Sequence, residues 1–222
     1  MADFNAAHQK VMGNEGGYAN NPADAGGETY KGIARKFWQQ WGGWKYVDGV
    51  KAQAIAQPVF GTSSYVSWVR YLNSQLSSLN QLQQLVLDFY KTNFWDKYRL
   101  SEVNDQAVAA WIYDHVVNGG GRGAMWIQEA VGVAADGVIG PQTIQAINAA
   151  DPKALLQKAG DAAAFYRLDK AEADPSQIRF LPSWLRRDGV SAEDIQQVMQ
   201  AAKDGLTYDK VAELKAAIKA SA

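Results

Sequence analysis

The sequence predicts an all-α fold, interrupted by one small loop or β-hairpin near the N-terminus. Three observations carry this. Apolar residues recur at intervals of three and four along most of the 222 residues. Caps, prolines and glycines punctuate that pattern at helical lengths. Period-two alternation is almost confined to one glycine-rich segment, and no internal repeat is evident.

The elements follow in order. Phe4, Ala7, His8, Val11 and Met12 keep the helical period after Asp3, a plausible N-cap. Gly16 and Gly17 stop this helix within a turn of Glu15. Residues 18–31 hold Gly, Pro, Asn and Asp and read as turns with a short hairpin. Ile33 to Trp41 reads as a helix ended by Gly42 and Gly43, and residues 51–57 as a short helix before Pro58. From Val66 to Trp95 the stripe Val69, Leu72, Leu76, Leu79, Leu82, Leu85, Val86, Phe89 marks a helix or helix pair with a solvated Gln/Ser face. Asn104 or Asp105 opens AVAAWIYDHVV, which Asn118 and three glycines close. A helix from about Arg122 to Val131 precedes the loop AADGVIGP. Pro141 and Asp151-Pro152 begin two more helices, the second running to about Ala173. Ser191 with Asp194 forms a capping box for a helix through Ala202, and Thr207 opens the last.

Composition excludes several function classes. Hydrophobic residues make up 47%, enough for a sizeable core in one large domain or two small ones. A formal net charge of −1 gives no argument for nucleic acid or an anionic membrane surface as partner. Cysteine is absent, which removes disulfides and thiolate metal sites. His8 and His115 are the only histidines and form no HExxH pair, so neither a metal nor a cofactor is expected. His115, on an apolar helix, reads as a core histidine. Gly119–Gly121 lacks the Lys-Ser/Thr of a phosphate loop, and no GxSxG elbow occurs. No apolar run approaches a membrane span, and MADFNAAHQKVMGNEGG lacks a signal-peptide core. Synthesis in the cytoplasm without a signal peptide is therefore expected, with a separate agent delivering the protein to the wall.

The chemistry concentrates in EGGYANNPADAGGETYKGI, residues 15–33. Hydrolysis of a glycosidic bond needs a proton for the leaving oxygen and stabilisation of an oxocarbenium-like centre. Glu15, preceded by Val11 and Met12 and followed by glycine, is placed to be a partly buried acid. Asp24 lies nine residues on and could hold a water or meet the cation directly. Thr29 could orient that water. Tyr18, Asn20, Asn21 and Tyr30 could hydrogen-bond or stack on a sugar. Glu28 is a rival carboxylate, read as exposed. Eight Trp, ten Tyr and seven Phe suit a glycan cleft, although large aromatics mostly serve cores. Arg122, Arg186 and Arg187 are candidates to contact wall carboxylates, with solvated surface charge as the default reading.

This segment resembles the EGGY motif of the glycoside hydrolase 108 family, whose members are muramidases that include phage endolysins. The family's motif glutamate falls on Glu15, and its NPxDxGGxT run on Asn21, Pro22, Asp24, Gly26, Gly27 and Thr29. The spacing is also similar to the Glu-Asp-Thr triad of phage-type lysozymes, whose last gap is one residue longer. YDHVVNGGGRGAMWIQEAVGVAADGVIGPQTIQAI is similar to the family's companion peptidoglycan domain, and RFLPSWLRR to its closing segment. Asp136-Gly137 and Gly140-Pro141 also make sense as a scaffold turn, the reading favoured over glycan affinity.

The resemblance implies a lysozyme-like catalytic lobe over residues 1–100 with a helical insertion near 57–85. A helical peptidoglycan-domain lobe packed on it would span 101–190, and a C-terminal helical extension 191–222. It implies an endolysin, an N-acetylmuramidase cutting the β-1,4 bond between N-acetylmuramic acid and N-acetylglucosamine, with Glu15 as general acid. Its partners would be peptidoglycan glycan strands and a separate holin, and a monomer is expected. The alternatives are a lytic transglycosylase using Glu15 and a non-catalytic wall-binding protein.

Overall fold

A computed structural model describes residues 1–12, 16–22 and 26–221. Among these the fold is mainly helical, with eleven α-helices and one three-stranded antiparallel sheet. The chain divides into two compact units. One is His8–Asn93; the other joins Met1–Ala7 to Phe94–Ala222.

The first helix, α1 (Phe4–Met12), starts where Asp3 Oδ1 accepts from the Ala6 amide at 2.8 Å. In the His8–Asn93 unit the strands β1 (Tyr18–Asn20), β2 (Glu28–Tyr30) and β3 (Ile33–Ala34) form a meander. Lys31 and Gly32, at φ 45° and 77°, make the two-residue β2–β3 turn. Its twist matches the strands because both residues are left-handed. Next come α2 (Trp44–Gln53), α3 (Ser63–Ser77) and α4 (Asn80–Tyr90). The unit's core gathers Tyr18, Tyr30, Ile33, Trp68, Leu72 and Leu82, each no more than 4% exposed.

Two sequence expectations fail here. Residues 35–43 are successive turns rather than a helix, and α2 begins at Trp44 where Gly43 was expected to end one. The i, i+4, i+5, i+8 spacing of Ile33, Phe37, Trp38 and Trp41 imitates a helix. Ile33 is instead taken by the β2–β3 pairing. Trp38 packs edge-on against Phe89 at 4.8 Å, and the Trp41 indole donates to the Leu85 carbonyl at 3.3 Å. Tertiary packing overrides local periodicity in this stretch. Likewise the helix expected at 51–57 is the end of α2, which stops at Gln53.

In the other unit, Phe4 packs edge-on against Trp95 and Tyr113 at 5.7 and 5.9 Å. The last turns after α4, Lys91–Asp96, widen to a π-helix. Then follow α5 (Gln106–Gly119), α6 (Gly121–Val131), α7 (Pro141–Ala149), α8 (Pro152–Ala173), α9 (Leu181–Asp188), α10 (Ala192–Lys203) and α11 (Tyr208–Ala220). The caps read from the sequence are in place. Asp105, Asp151, Ser191 and Thr207 each accept from the amide three residues on.

Long α8 is the spine against which α5, α6, α9 and α11 pack. Its buried Ala159, Ala163, Ala164 and Ala171 let those neighbours approach closely. Helices α10 and α11 share this core: Ile195, Val198, Val211 and Ile218 join Leu168, Leu181 and Leu185. The DGVIG turn is tied together from within. Buried Gln128 donates to Asp136 Oδ1 at 2.8 Å and accepts from the Gly137 amide at 2.8 Å. Asp136 Oδ1 also accepts from the Val138 amide, and these donors hold its carboxyl below the usual range.

Candidate active site

The described strands of the motif segment form the β1–β3 meander, and two helices hold that meander in place. Glu15 and Asp24 lie outside the described residues. Asn73 of α3 accepts from the Tyr18 amide through Oδ1 at 2.6 Å. Tyr65 of α3 donates to the Asn20 carbonyl at 2.9 Å. Gln83 of α4 donates to the Tyr30 hydroxyl at 3.1 Å and accepts from Lys31 Nζ at 2.7 Å. Tyr90 donates to the Lys31 carbonyl at 2.7 Å.

The second glycine of the motif is dictated by this clamp. A Cβ on Gly17 would sit 2.0 Å from Asn73 Oδ1. Gly17→Ala must therefore push Asn73 off the Tyr18 amide. The expected loss is about 1–3 kcal/mol, the cost of leaving a half-buried amide unpaired. Urea unfolding of the variant, of Asn73→Ala and of the pair checks this. Both substitutions act on one bond, so the double variant should lose little more than either single. Additive losses would show that Gly17 answers to something else.

Strand alternation separates the candidate residues onto two faces. The register Tyr18↔Tyr30, Asn20↔Glu28 and Tyr30↔Ile33 puts these residues on one face. Ala19, Thr29 and Ala34 share the other, so Thr29 stands between two alanines, half-buried. Thr29 is thus not brought together with Tyr18, Asn20 or Tyr30. Tyr18 and Tyr30 are 2% and 1% exposed, and the protein itself engages their rings and hydroxyls. Trp68 meets Tyr18 edge-on at 5.7 Å, and Trp41 stacks on Tyr30 at 6.5 Å. The sugar-stacking role read for these two tyrosines gives way to a place in the core. Asn20 and Asn21 are half-buried and keep part of their surface open.

Glu28 is not the exposed carboxylate that the sequence suggested. Its side chain is 15% exposed, and it pairs with Arg35 Nε at 2.5 Å and Lys51 Nζ at 2.6 Å. Tyr18 Oη adds a third donor at 2.8 Å. Burial and this bond to Glu28 push the Tyr18 hydroxyl far above its ordinary pKa. Arg35 continues the network in a bidentate pair with Asp48 and lies 4.3 Å over the Trp44 ring. The partners of Glu28 come from β1, α2 and the turns after β3. Glu28 anchors the sheet to the rest of its unit.

Sequence reasoning missed the clamp residues Asn73, Tyr65 and Gln83, which sit at the edge of the Gln/Ser-rich face. It also missed Phe37 and Trp38. These are 68% and 39% exposed and line an open groove of about 520 Å³ with Gln39 and Gln40. The signal was present in KFWQQWGGW, where aromatics alternate with amides. Exposed rings beside amide donors and acceptors are suited to the apolar face and hydroxyl rim of a sugar. A second groove of the same unit, about 570 Å³, runs along Ile55, Ser63, Ser67, Trp68 and Tyr71.

Comparison with known proteins decides the family. The model of glycosyl hydrolase 108 matches residues 8–120, half of the chain. This protein belongs to glycosyl hydrolase family 108. The hydrolase also carries the region described as a predicted peptidoglycan domain, at residues 122–189. These two matches make it a peptidoglycan-acting glycoside hydrolase. Its fold is similar to that of Brucella abortus SagA, with a TM-score of 0.53 and 23% identity, over 91% of this chain and 94% of that one. None of the curated proteins compared matches the hydrolase.

Proposed function

We propose that the protein is an N-acetylmuramidase hydrolysing the β-1,4 bond between N-acetylmuramic acid and N-acetylglucosamine. Glu15 donates the proton to the bridging oxygen, while Asp24 and Thr29 position the water or steady the cationic centre. The observation that carries this reading is the EGGY and NPxDxGGxT segment within the matched family region, whose described residues Tyr18–Asn20 and Glu28–Tyr30 form a clamped hairpin. The small-residue face of that hairpin presents the Thr29 hydroxyl between Ala19 and Ala34. Asn20, Asn21 and the Phe37–Trp38 shelf supply contacts to the saccharide.

The chain is expected to act as a monomeric endolysin. It would be made in a host cytoplasm, with a holin-type pore opening its way to the wall. No described helix is long and apolar enough to cross a membrane.

Product masses from purified peptidoglycan test the reaction. A hydrolase adds one water per cut and leaves reducing muramic acid ends. Anhydro-muramic products would assign a lytic transglycosylase instead, with the sugar's own 6-hydroxyl as nucleophile. No soluble product from any wall preparation would leave only a binding protein.

A further inference from the structure

The unit that joins Met1–Ala7 to Phe94–Ala222 holds a further concave site, apart from the two grooves of the His8–Asn93 unit. It opens at Asn118 and Gly119, the end of α5, and is walled by α6, α8 and α9. Four cations line it: Arg122, Arg167, Lys170 and Arg187. Two of them are neutralised by carboxylates. Arg167 Nε pairs with buried Asp188 at 3.0 Å, and Arg187 Nε with Asp114 at 3.2 Å. The other two rest on aromatic faces. Arg122 lies 4.9 Å over the Tyr166 ring and Lys170 5.4 Å over Trp184. The cavity lining thus carries two positive charges beyond its carboxylates, held over rings that fix their direction.

Size and charge together select the ligand. The cavity measures about 250 Å³, below the range of about 300–1,000 Å³ typical of sites for drug-sized ligands. A disaccharide is too large for it, and a neutral sugar has no use for two spare cations. One amino-acid residue bearing a carboxylate fits both criteria, with the guanidinium of Arg122 offering a planar fork to the two oxygens. We propose that this pocket binds a carboxylate of the peptidoglycan stem peptide, so that the enzyme holds the peptide in one unit and cuts the glycan with the other. The proposal rests on the peptidoglycan reading above and adds the peptide to it.

Calorimetry with the full chain and a free stem tetrapeptide tests the pocket. The wild type should bind the tetrapeptide, and its fully amidated form at least tenfold more weakly. The Arg122→Gln/Lys170→Gln variant should lose about tenfold or more, with Arg122→Lys intermediate because the bidentate fork is lost but not the charge. An unchanged unfolding midpoint shows that the variant is folded. Equal binding by wild type and variant, or of the two peptide forms, overturns the pocket. Tighter binding of a glycerol-phosphate oligomer than of the tetrapeptide also overturns it, by reassigning the site to a phosphate polymer. Release of reducing ends by the wild type from peptide-free glycan strands is followed in parallel. Its presence alongside a failed pocket leaves the hydrolase reading intact, and its absence alongside carboxylate-dependent peptide binding sinks the hydrolase reading and leaves the pocket standing.

Discussion

Glu15→Gln should lower peptidoglycan turnover by about 10²–10⁴, the usual contribution of a positioned general acid. The amide keeps the shape of the side chain and removes the one proton the leaving oxygen needs. Binding to wall material should change little, because the exposed aromatics and amides of Phe37–Gln40 are untouched. Release of reducing ends, set against sedimentation with insoluble peptidoglycan, separates the two quantities. Asp24→Asn should lose less, since a residue that positions water or steadies a cation leaves part of the barrier reduction in place. An equal or larger loss for Asp24→Asn would make that carboxylate a nucleophile or essential base. Full activity in Glu15→Gln would falsify the assignment of the acid.

The largest effect on stability is expected at Asp188. Its side chain is fully buried, with one oxygen 3.1 Å from His115 Nε2 and the other 3.0 Å from Arg167 Nε. His115 in turn bonds the Trp111 carbonyl through Nδ1 at 2.8 Å and stacks on the Trp111 ring at 3.6 Å. Burial raises the Asp188 pKa and lowers that of Arg167, so each charge depends on its partner inside the unit. Asp188→Ala strands a guanidinium that is only 8% exposed. Breaking a buried pair from one side costs about 3–5 kcal/mol, a large share of the roughly 5–15 kcal/mol that holds a domain folded. Asp188→Asn keeps an acceptor without the charge and should lose less. Denaturant unfolding measures both. A loss below about 1 kcal/mol would mean that Arg167 swings to solvent and that the pair is dispensable.

Legibility in the sequence followed locality. Helices α5 to α8, α10 and α11 announce themselves because their signals are local: an N-cap carboxylate or hydroxyl, a proline at the first position, an apolar stripe. His115 reads correctly as a core residue for the same reason. The motif segment names the catalytic candidates because its residue types are unusual together. What stayed hidden depends on partners far along the chain. Glu28 looks exposed until Lys51 and Arg35 fold over it. Tyr18 and Tyr30 look like sugar platforms until Trp68 and Trp41 cover them. Asn73 and Gln83 belong to a face that periodicity assigns to solvent, and only the fold turns them towards the hairpin. Residues 33–43 mislead most, because aromatic spacing mimics a helix where the rings answer to Phe89 and Tyr30.

The grip of α3 and α4 on the hairpin runs through carboxamides, Asn73 at the Tyr18 amide and Gln83 at the Tyr30 hydroxyl. Carboxamides neither gain nor lose protons between mild acid and mild alkali, and added electrolyte screens them hardly at all. Acidifying the medium or adding salt should therefore leave the grip of α3 and α4 on the hairpin in place.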